Sequence, residues 1–127
     1  MRQLAALCRQ VPWTKVTHTR LRATVARGEC VIARHAGSCA GVALWSSTFF
    51  DRTFIWLLFV APEHRRRGVA KELLNACERF SPTDVFTSTN RSNKTMQRVL
   101  KGAGYRQCGH VSHLDPSDVE LFYCKRN

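Results

Sequence analysis

An uninterrupted apolar run at residues 54–60 limits the folds open to this chain. Such a run suits a central strand covered on both faces better than an edge strand with one face in water. Pro62 ends the strand because proline cannot donate a hydrogen bond to a sheet. A basic loop follows, and from residue 69 apolar side chains recur at helical spacing until Ser81-Pro82. This order predicts a sheet with helices packed against it.

The segments before the run predict helices and then a hairpin. Residues 1–29 are expected to be helical with a break at Pro12, because apolar residues recur at helical spacing on either side of it. Residues 30–34 and 40–45 are rich in β-branched and small apolar residues and are separated by a Gly-containing turn, which is typical of a β-hairpin. The predicted apolar faces of the two helices are Leu4, Leu7 and Cys8, and Leu21, Val25 and Ala26.

The segments after the run predict a strand, a helix and two further strands. Residues 84–88 form a short strand, and Ser92 is a candidate N-cap for a helix that Gly102 and Gly104 end. Residues 105–111 and 121–125 are expected to pair as antiparallel strands across a turn-rich segment. The element order is helix, three strands, helix, strand, helix and two strands, which is typical of a mixed α/β domain.

Composition favours one domain and anionic ligands. The chain has 127 residues, 44% of them apolar, which suffices for one core. We therefore expect a single domain over residues 1–127, with a helical part at 1–29 and a core at 30–127. The net charge of +11 comes from 20 basic and 9 acidic residues. It favours a phosphorylated cofactor, an acidic substrate or nucleic acid, without choosing among them.

Six cysteines are scattered singly and without any C-x-x-C pair, so they are interpreted as small buried apolar residues in a reducing cytoplasm. Neither they nor the five histidines have the spacing of zinc ligands, and no metal is expected. The apolar stretch at the amino terminus is shorter than a signal-peptide core, and no apolar stretch reaches the length of a membrane span. We expect a soluble, cytoplasmic protein with no membrane partner.

The basic loop has the chemistry of a phosphate site. A helix start offers unpaired backbone N–H groups and the positive end of the helix dipole. Gly68 presents no side chain to an approaching ligand, and the arginines before it keep their charge near neutral pH. The common nucleotide-binding patterns G-x-x-x-x-G-K-[S/T] and G-x-G-x-x-G are absent. The alternative is a solvated arginine loop before an ordinary helix.

At residues 60–70 the sequence VAPEHRRRGVA resembles the acetyl-CoA signature of the GCN5-related N-acetyltransferase (GNAT) family. The core of that signature is Arg or Gln, two residues, Gly, one residue, and Gly or Ala, and Arg65, Gly68 and Ala70 take the three defining positions. Residues 87–93 and the pair Gly104-Tyr105 resemble later parts of the family pattern, and residues 114–121 are similar to a bacterial subgroup. The resemblance covers roughly residues 30–125 of the chain.

The resemblance implies a single GNAT-like domain whose mixed, mostly antiparallel sheet has helices on both faces and a splay between its central strands. Acetyl-CoA would lie in the splay, with its pantetheine arm along the strand, its thioester carbonyl polarised by an N–H near Val60, and its pyrophosphate on the loop. Asn93 matches a family asparagine that contacts the cofactor near its thiol. The implied cofactor-binding residues are Leu58, Phe59, Val60, Arg65, Arg66, Arg67, Gly68, Val69, Ala70 and Asn93.

The catalytic residues do not follow from the resemblance. Phe54 and Trp56 stand where many members carry a glutamate base, and Leu100 stands where many carry a tyrosine acid. Tyr105 and Tyr123 are interpreted as packing residues because both stand in apolar strands. The candidate substitute bases are Asp51, His64, Asp115, Asp118 and Glu120. The aromatic candidates for an acceptor pocket, which are also candidates for the core, are Trp45, Phe49, Phe50 and Trp56.

The leading functional hypothesis is direct transfer of an acetyl group from acetyl-CoA to a primary amine of a small molecule or a protein. One alternative is a family member that binds acyl-CoA but has lost turnover. The other is a basic RNA-binding or ribosome-associated module, although no RNA-binding motif is present and nucleic acid is not the expected partner. Association as a homodimer is left open.

Overall fold

Strand β3 (Arg52–Val60) lies inside a six-stranded sheet in the computed structural model, which describes residues 2–11 and 17–127. The sheet order is β1-β2-β3-β4-β6-β5. Strands β3 and β4 are parallel, and every other neighbouring pair is antiparallel, so the predicted mixed, mostly antiparallel sheet is confirmed. The other strands are β1 (Cys30–His35), β2 (Ser38–Phe49), β4 (Val85–Asn90), β5 (Arg106–Asp115) and β6 (Asp118–Lys125).

Helices cover both faces of the sheet, as predicted. Helices α1 (Arg2–Cys8) and α2 (His18–Ala26) pack against Val42 and Leu44 of β2. Ala43 of the same strand packs on the opposite side, with α3 (Val69–Phe80) and α4 (Lys94–Gly102). The alternation of side chains along a strand therefore divides the apolar residues between two cores. The predicted break at Pro12 lies outside the described residues.

The buried face of α2 differs from the prediction. Leu21 is buried as expected, but Val25 and Ala26 are exposed and Thr24 is buried in their place. Threonine can occupy this position because its Oγ1 donates a hydrogen bond to the Arg20 carbonyl at 2.9 Å, which satisfies the hydroxyl away from water. The predicted face of α1, in contrast, is buried as expected at Leu4, Leu7 and Cys8.

Two further predictions are corrected. Asn93, not Ser92, is the N-cap of α4, because the Asn93 Oδ1 accepts a hydrogen bond from Met96 N at 3.1 Å while the Ser92 hydroxyl donates to Asp118. All six cysteines are free thiols, but only Cys8 and Cys77 are buried as expected; Cys30, Cys39 and Cys124 are half-buried, and Cys108 is exposed on the edge strand β5. The predicted strands also run longer than expected, most of all β2, which continues to Phe49.

The central strands separate along their length. Strands β3 and β4 pair only where Thr53, Phe54 and Ile55 meet residues 85–87. Beyond this point β3 continues to Val60 and β4 to Asn90 without further pairing. Leu44 pairs with Leu57 and Trp45 with Ile55, so Trp56 is the extra residue of a β-bulge at the place where β3 leaves β4. The result is the predicted splay.

Gly41 of β2 allows α3 to lie close to the sheet. A Cβ atom at this position would stand 3.0 Å from the Phe59 carbonyl oxygen, Leu73 Cδ1 and Val69 Cγ1. We expect Gly41→Ala to destabilise the fold by about 1–3 kcal/mol because an overpacked methyl group forces helix and strand apart. Gly109→Ala is the control, since its Cβ would meet no atom within 4 Å. Urea unfolding measures both, and equal stability of the two variants would contradict this packing.

Candidate functional site

The splay opens into a cavity of about 320 Å³. Strand β3 forms one wall and β4 the other. The N-cap and one side chain of α4 and one residue of β6 complete the lining. Apart from that β6 residue, a glutamate, the lining side chains among the described residues are uncharged. The lining residues are Ile55, Trp56, Leu57, Leu58, Thr87, Ser88, Thr89, Asn90, Asn93, Met96 and Glu120.

The backbone of β3 presents hydrogen-bonding groups to this cleft. Ala61 N donates to the Ala40 carbonyl at 2.8 Å, so residue 61 pairs toward β2. Because backbone groups alternate in direction along an antiparallel strand, residue 59 also faces β2, whereas Leu58 and Val60 face the cleft. The Val60 carbonyl accepts a hydrogen bond from Arg65 Nε at 3.0 Å. Leu58 N–H, Leu58 C=O and Val60 N–H are therefore directed into the splay.

The basic loop leads into α3 through two left-handed residues. Arg66 has φ +64° and Gly68, the N-cap of α3, has φ +76°. Such conformations turn successive N–H groups toward one side and form an anion-binding concavity. The first hydrogen bond of the helix runs from Glu72 N to Gly68 O at 3.0 Å, so the N–H groups of residues 69–71 precede it. A Cβ on Gly68 would meet no atom within 4 Å, which leaves this end of the helix open.

The three arginines of the loop are exposed and differ in role. Arg65 is tied to β3, since its guanidinium bonds to Val60 and lies 5.5 Å from the centre of the Phe59 ring. Arg66 and Arg67 directly precede Gly68, the N-cap of α3. Val69 is buried against the sheet and Ala70 is half-buried, so these two residues offer their backbone and not their side chains.

Asn93 follows the end of β4 and lines the cavity across the splay from β3. Its Oδ1 caps α4, whereas its Nδ2 has no hydrogen-bond partner in the part of the chain that the structure describes. The amide can therefore donate to a ligand in the cavity while the same side chain holds the helix. Sequence reasoning placed Asn93 near a bound thiol without foreseeing that it also caps the helix.

Among the candidate bases, only Glu120 lines the cavity. Asp51 is exposed in the turn between β2 and β3, and the Asp115 carboxylate accepts hydrogen bonds from Ser117 in the turn after β5. Asp118 accepts a hydrogen bond from the Ser92 hydroxyl, which holds the pKa of Asp118 below its usual value. His64 lies beside the basic loop, with its ring 5.8 Å from that of His35.

Neither tyrosine is positioned as an acid at the cavity. Tyr105 is 2% exposed and its hydroxyl donates to Glu78 Oε2 at 3.0 Å, while burial raises its pKa. Tyr123 is fully buried in the core under α3 and α4, and burial raises its pKa too. Leu100, at the position of the usual family tyrosine, is also buried there. The two tyrosines are therefore packing residues, as expected.

The four aromatic candidates for an acceptor pocket lie in different parts of the structure. Trp56 lines the cavity, with the Arg20 guanidinium 3.7 Å above its ring, and Phe50 is 80% exposed in a turn. Trp45, a candidate for both the pocket and the core, lies in the core on the same side of β2 as Ala43, where its ring stacks on Phe80 of α3. Phe49 joins three phenylalanines that sequence reasoning did not group with it. We call the four the aromatic face: Phe49, Phe54, Phe86 and Phe122.

In the described ranges, no helix has the length and apolar character needed to cross a membrane. Within the same ranges, no three His, Cys, Asp or Glu side chains come together as metal ligands would. The expectation that the protein uses no metal stays a prediction.

Comparison with known proteins identifies similar sequences and structures. The model of the acetyltransferase (GNAT) family matches residues 1–105. A GNAT-family acetyltransferase from Bacillus cereus is 31% identical over 99% of this chain and 89% of its own, with a TM-score of 0.92. No curated protein sequence matches the chain.

Two more distant structures are similar in fold. Diaminobutyrate acetyltransferase EctA from Paenibacillus lautus, in complex with L-2,4-diaminobutyric acid and coenzyme A, is 20% identical over 98% of this chain and 88% of its own, with a TM-score of 0.76. Naa50 from Arabidopsis thaliana, in complex with the bisubstrate analogue CoA-Ac-MVNAL, is 17% identical over 99% of this chain and 91% of its own, with a TM-score of 0.80.

Proposed function

Since the chain belongs to the GNAT family of acetyltransferases, we propose that it moves the acetyl group of acetyl-CoA directly to a primary amine. The observation that carries this proposal is the splay between β3 and β4, which starts at a bulge and ends beside an open helix N-terminus. Two similar structures contain coenzyme A or a CoA analogue, which supports acetyl-CoA as the cosubstrate.

Acetyl-CoA fits the site residue by residue. The pantetheine arm pairs with the backbone groups of Leu58 and Val60 that face the splay, as an added strand does. The pyrophosphate accepts hydrogen bonds from the loop and first-turn N–H groups of residues 66–71 and is neutralised by Arg66 and Arg67. Arg65 keeps the loop against β3 through Val60, and Val69 and Ala70 contribute their N–H groups.

Strand β3 also supplies a hydrogen-bond donor that stabilises the charge formed in the reaction. A backbone N–H directed into the splay near Val60 stabilises negative charge on the thioester oxygen while the amine attacks. Coenzyme A leaves as a thiolate, and a thiol pKa of about 8.5 makes it an adequate leaving group without an acid. The apolar Leu100 at the usual tyrosine position is therefore compatible with turnover.

The amine acceptor is a small molecule or a protein. Among the similar structures, EctA holds a diamino acid and Naa50 holds a peptide-based analogue, so the fold is compatible with both classes. The cytoplasmic location and the homodimer remain predictions.

Release of free CoA thiol in the presence of primary amines tests the proposed function. The proposal predicts release that requires both acetyl-CoA and an amine and forms the N-acetyl product by mass spectrometry. Tight acetyl-CoA binding without release for any amine in a broad panel would contradict turnover. That result would favour a member of the family that binds acyl-CoA and has lost turnover.

Asn93→Asp separates the two roles of Asn93. Aspartate caps helices about as well as asparagine, so the stability should change by less than about 0.5 kcal/mol. It removes the Nδ2 donor and adds a negative charge beside the thiol end of the cofactor. We expect acetyl-CoA affinity to fall severalfold in calorimetric titration, and unchanged affinity would contradict the contact.

A further inference from the structure

Glu120 is a half-buried carboxylate that has no ion pair or hydrogen bond to its side chain in the described part of the chain. Its situation is unusual in a protein with 20 basic and 9 acidic residues. Of the glutamates outside the cleft, Glu29, Glu72 and Glu78 each form an ion pair with a basic side chain, and Glu63 is exposed to solvent. A partly desolvated carboxylate without a cationic partner is stabilised when a ligand supplies one.

The aromatic face adjoins this carboxylate. Leu121 and Tyr123 of β6 pack under α3 and α4, so Glu120 and Phe122 project from the opposite side of the sheet. Phe122 lies 6.1 Å from Phe49 and 5.9 Å from Phe54, and Phe86 lies 5.4 Å from Phe49, measured between ring centres. All four rings are half-buried, which leaves apolar surface open on this side of the sheet.

The distance between Glu120 and the aromatic face suits an amine that carries an aromatic ring. Residues two apart on a strand are separated by about 7 Å at a rise of about 3.4 Å per residue, so Glu120 and the nearest ring lie that far apart along β6. Asn90 pairs with Glu120 and Ser88 pairs with Phe122, which brings both features to the β4 side of the cleft. An amine nitrogen and an aromatic ring joined by two or three carbon atoms span a similar distance.

We infer that the acceptor is a primary monoamine with an aromatic or similarly bulky apolar group, whose ammonium binds Glu120 and whose apolar group packs on the aromatic face. This inference rests on the proposed function. Glu120 is the only charged side chain lining the cavity among the described residues, so a second ionised group on the acceptor would find no partner there. Diamines are disfavoured for that reason.

Glu120 also receives the proton that the reaction must remove. The acceptor ammonium gives one proton to the Glu120 carboxylate, and the neutral nitrogen then attacks the thioester carbon. The carbon–sulfur bond breaks, the sulfur takes the second proton from nitrogen, and the products are the N-acetylamine and CoA thiol. Glu120 returns its proton to water, so the cycle consumes no further reactant.

Steady-state kinetics with phenethylamine, ethanolamine and putrescine test the inference in the wild type, Glu120→Gln and Asp51→Asn. We expect kcat/KM for phenethylamine to exceed that for ethanolamine by about tenfold or more, from burial of the phenyl group. Glu120→Gln should lower kcat/KM for phenethylamine about a hundredfold and flatten its acidic limb against pH, with acetyl-CoA affinity unchanged. Asp51→Asn removes an exposed carboxylate outside the cavity and should stay within about twofold of the wild type.

Phe86→Leu tests the aromatic face while keeping an apolar side chain in the sheet. It should raise KM for phenethylamine severalfold and change kcat/KM for ethanolamine by a smaller factor. Three results would overturn the inference without affecting the proposed function. They are equal kcat/KM for phenethylamine and ethanolamine, a higher kcat/KM for putrescine, and equal rates of Glu120→Gln and Asp51→Asn. A wild-type protein that does not bind acetyl-CoA would overturn the proposed function, and the inference with it.

Discussion

Gly68→Glu is expected to weaken acetyl-CoA binding by about a hundredfold or more, which corresponds to about 2.7 kcal/mol. Gly68 has φ +76° at the open end of α3, a conformation that costs an L side chain about 1–2 kcal/mol. The new carboxylate would stand beside the N–H groups that receive the pyrophosphate and would repel its charge. Calorimetric titration with acetyl-CoA measures the change.

Gly28→Glu is the matched control for this substitution. Gly28 has φ +72°, and a Cβ there would also meet no atom within 4 Å, but it follows α2 and lies outside the basic loop. It carries the same backbone strain and charge, so it should lose a similar amount of stability while keeping its affinity for acetyl-CoA. Equal affinities of the two variants would place the pyrophosphate elsewhere.

Glu78→Ala is expected to destabilise the protein by about 2 kcal/mol, because it leaves the buried Tyr105 hydroxyl without an acceptor and removes one of the two acceptors of Lys125. The Glu78 carboxylate accepts hydrogen bonds from the Tyr105 hydroxyl at 3.0 Å and from Lys125 Nζ at 2.9 Å. Lys125 also donates to the Ala103 carbonyl at 2.9 Å. These bonds join α3, the end of α4 and the last strand, so the loss should appear as a lower free energy of unfolding in urea.

Glu72→Ala is the control on the same helix. Glu72 lies 3.3 Å from His35 Nε2, but its side chain is 57% exposed, against 13% for Glu78. Solvent screens such a pair, and the expected change is below about 1 kcal/mol. If the two substitutions cost the same, the network around Glu78 does not hold these elements together.

Local signals predicted the order of the elements that form the proposed cofactor site. The apolar strand, Pro62, the basic loop and Gly68 follow one another in the chain, so periodicity and helix-start chemistry were sufficient to expect their arrangement. The family resemblance added the splay and Asn93. The splay starts at the Trp56 bulge. A bulge shows in a sequence as a break in the alternation of apolar and polar residues, and residues 54–60 have no such alternation because all of them are apolar.

Long-range strand pairing brings together the residues of the proposed acceptor site, and the sequence did not reveal that pairing. Glu120 is one of five candidate bases in the sequence, and it differs from the others because β6 pairs with β4, with Glu120 opposite Asn90. Phe86 and Phe122 come together for the same reason, although they lie far apart in the chain. Trp45 was a candidate for both the pocket and the core, and the packing of α3 on the sheet, which brings Phe80 against the Trp45 ring, decides for the core.

Thermal unfolding of the wild-type protein in increasing acetyl-CoA tests the central claim, that acetyl-CoA binds in the splay of this fold. A ligand that binds the folded state stabilises it by about 2.7 kcal/mol at a hundred times its dissociation constant, which raises Tm by several degrees. The proposal predicts this rise, with a much smaller one for Gly68→Glu than for Gly28→Glu. An unchanged Tm at millimolar acetyl-CoA would contradict it.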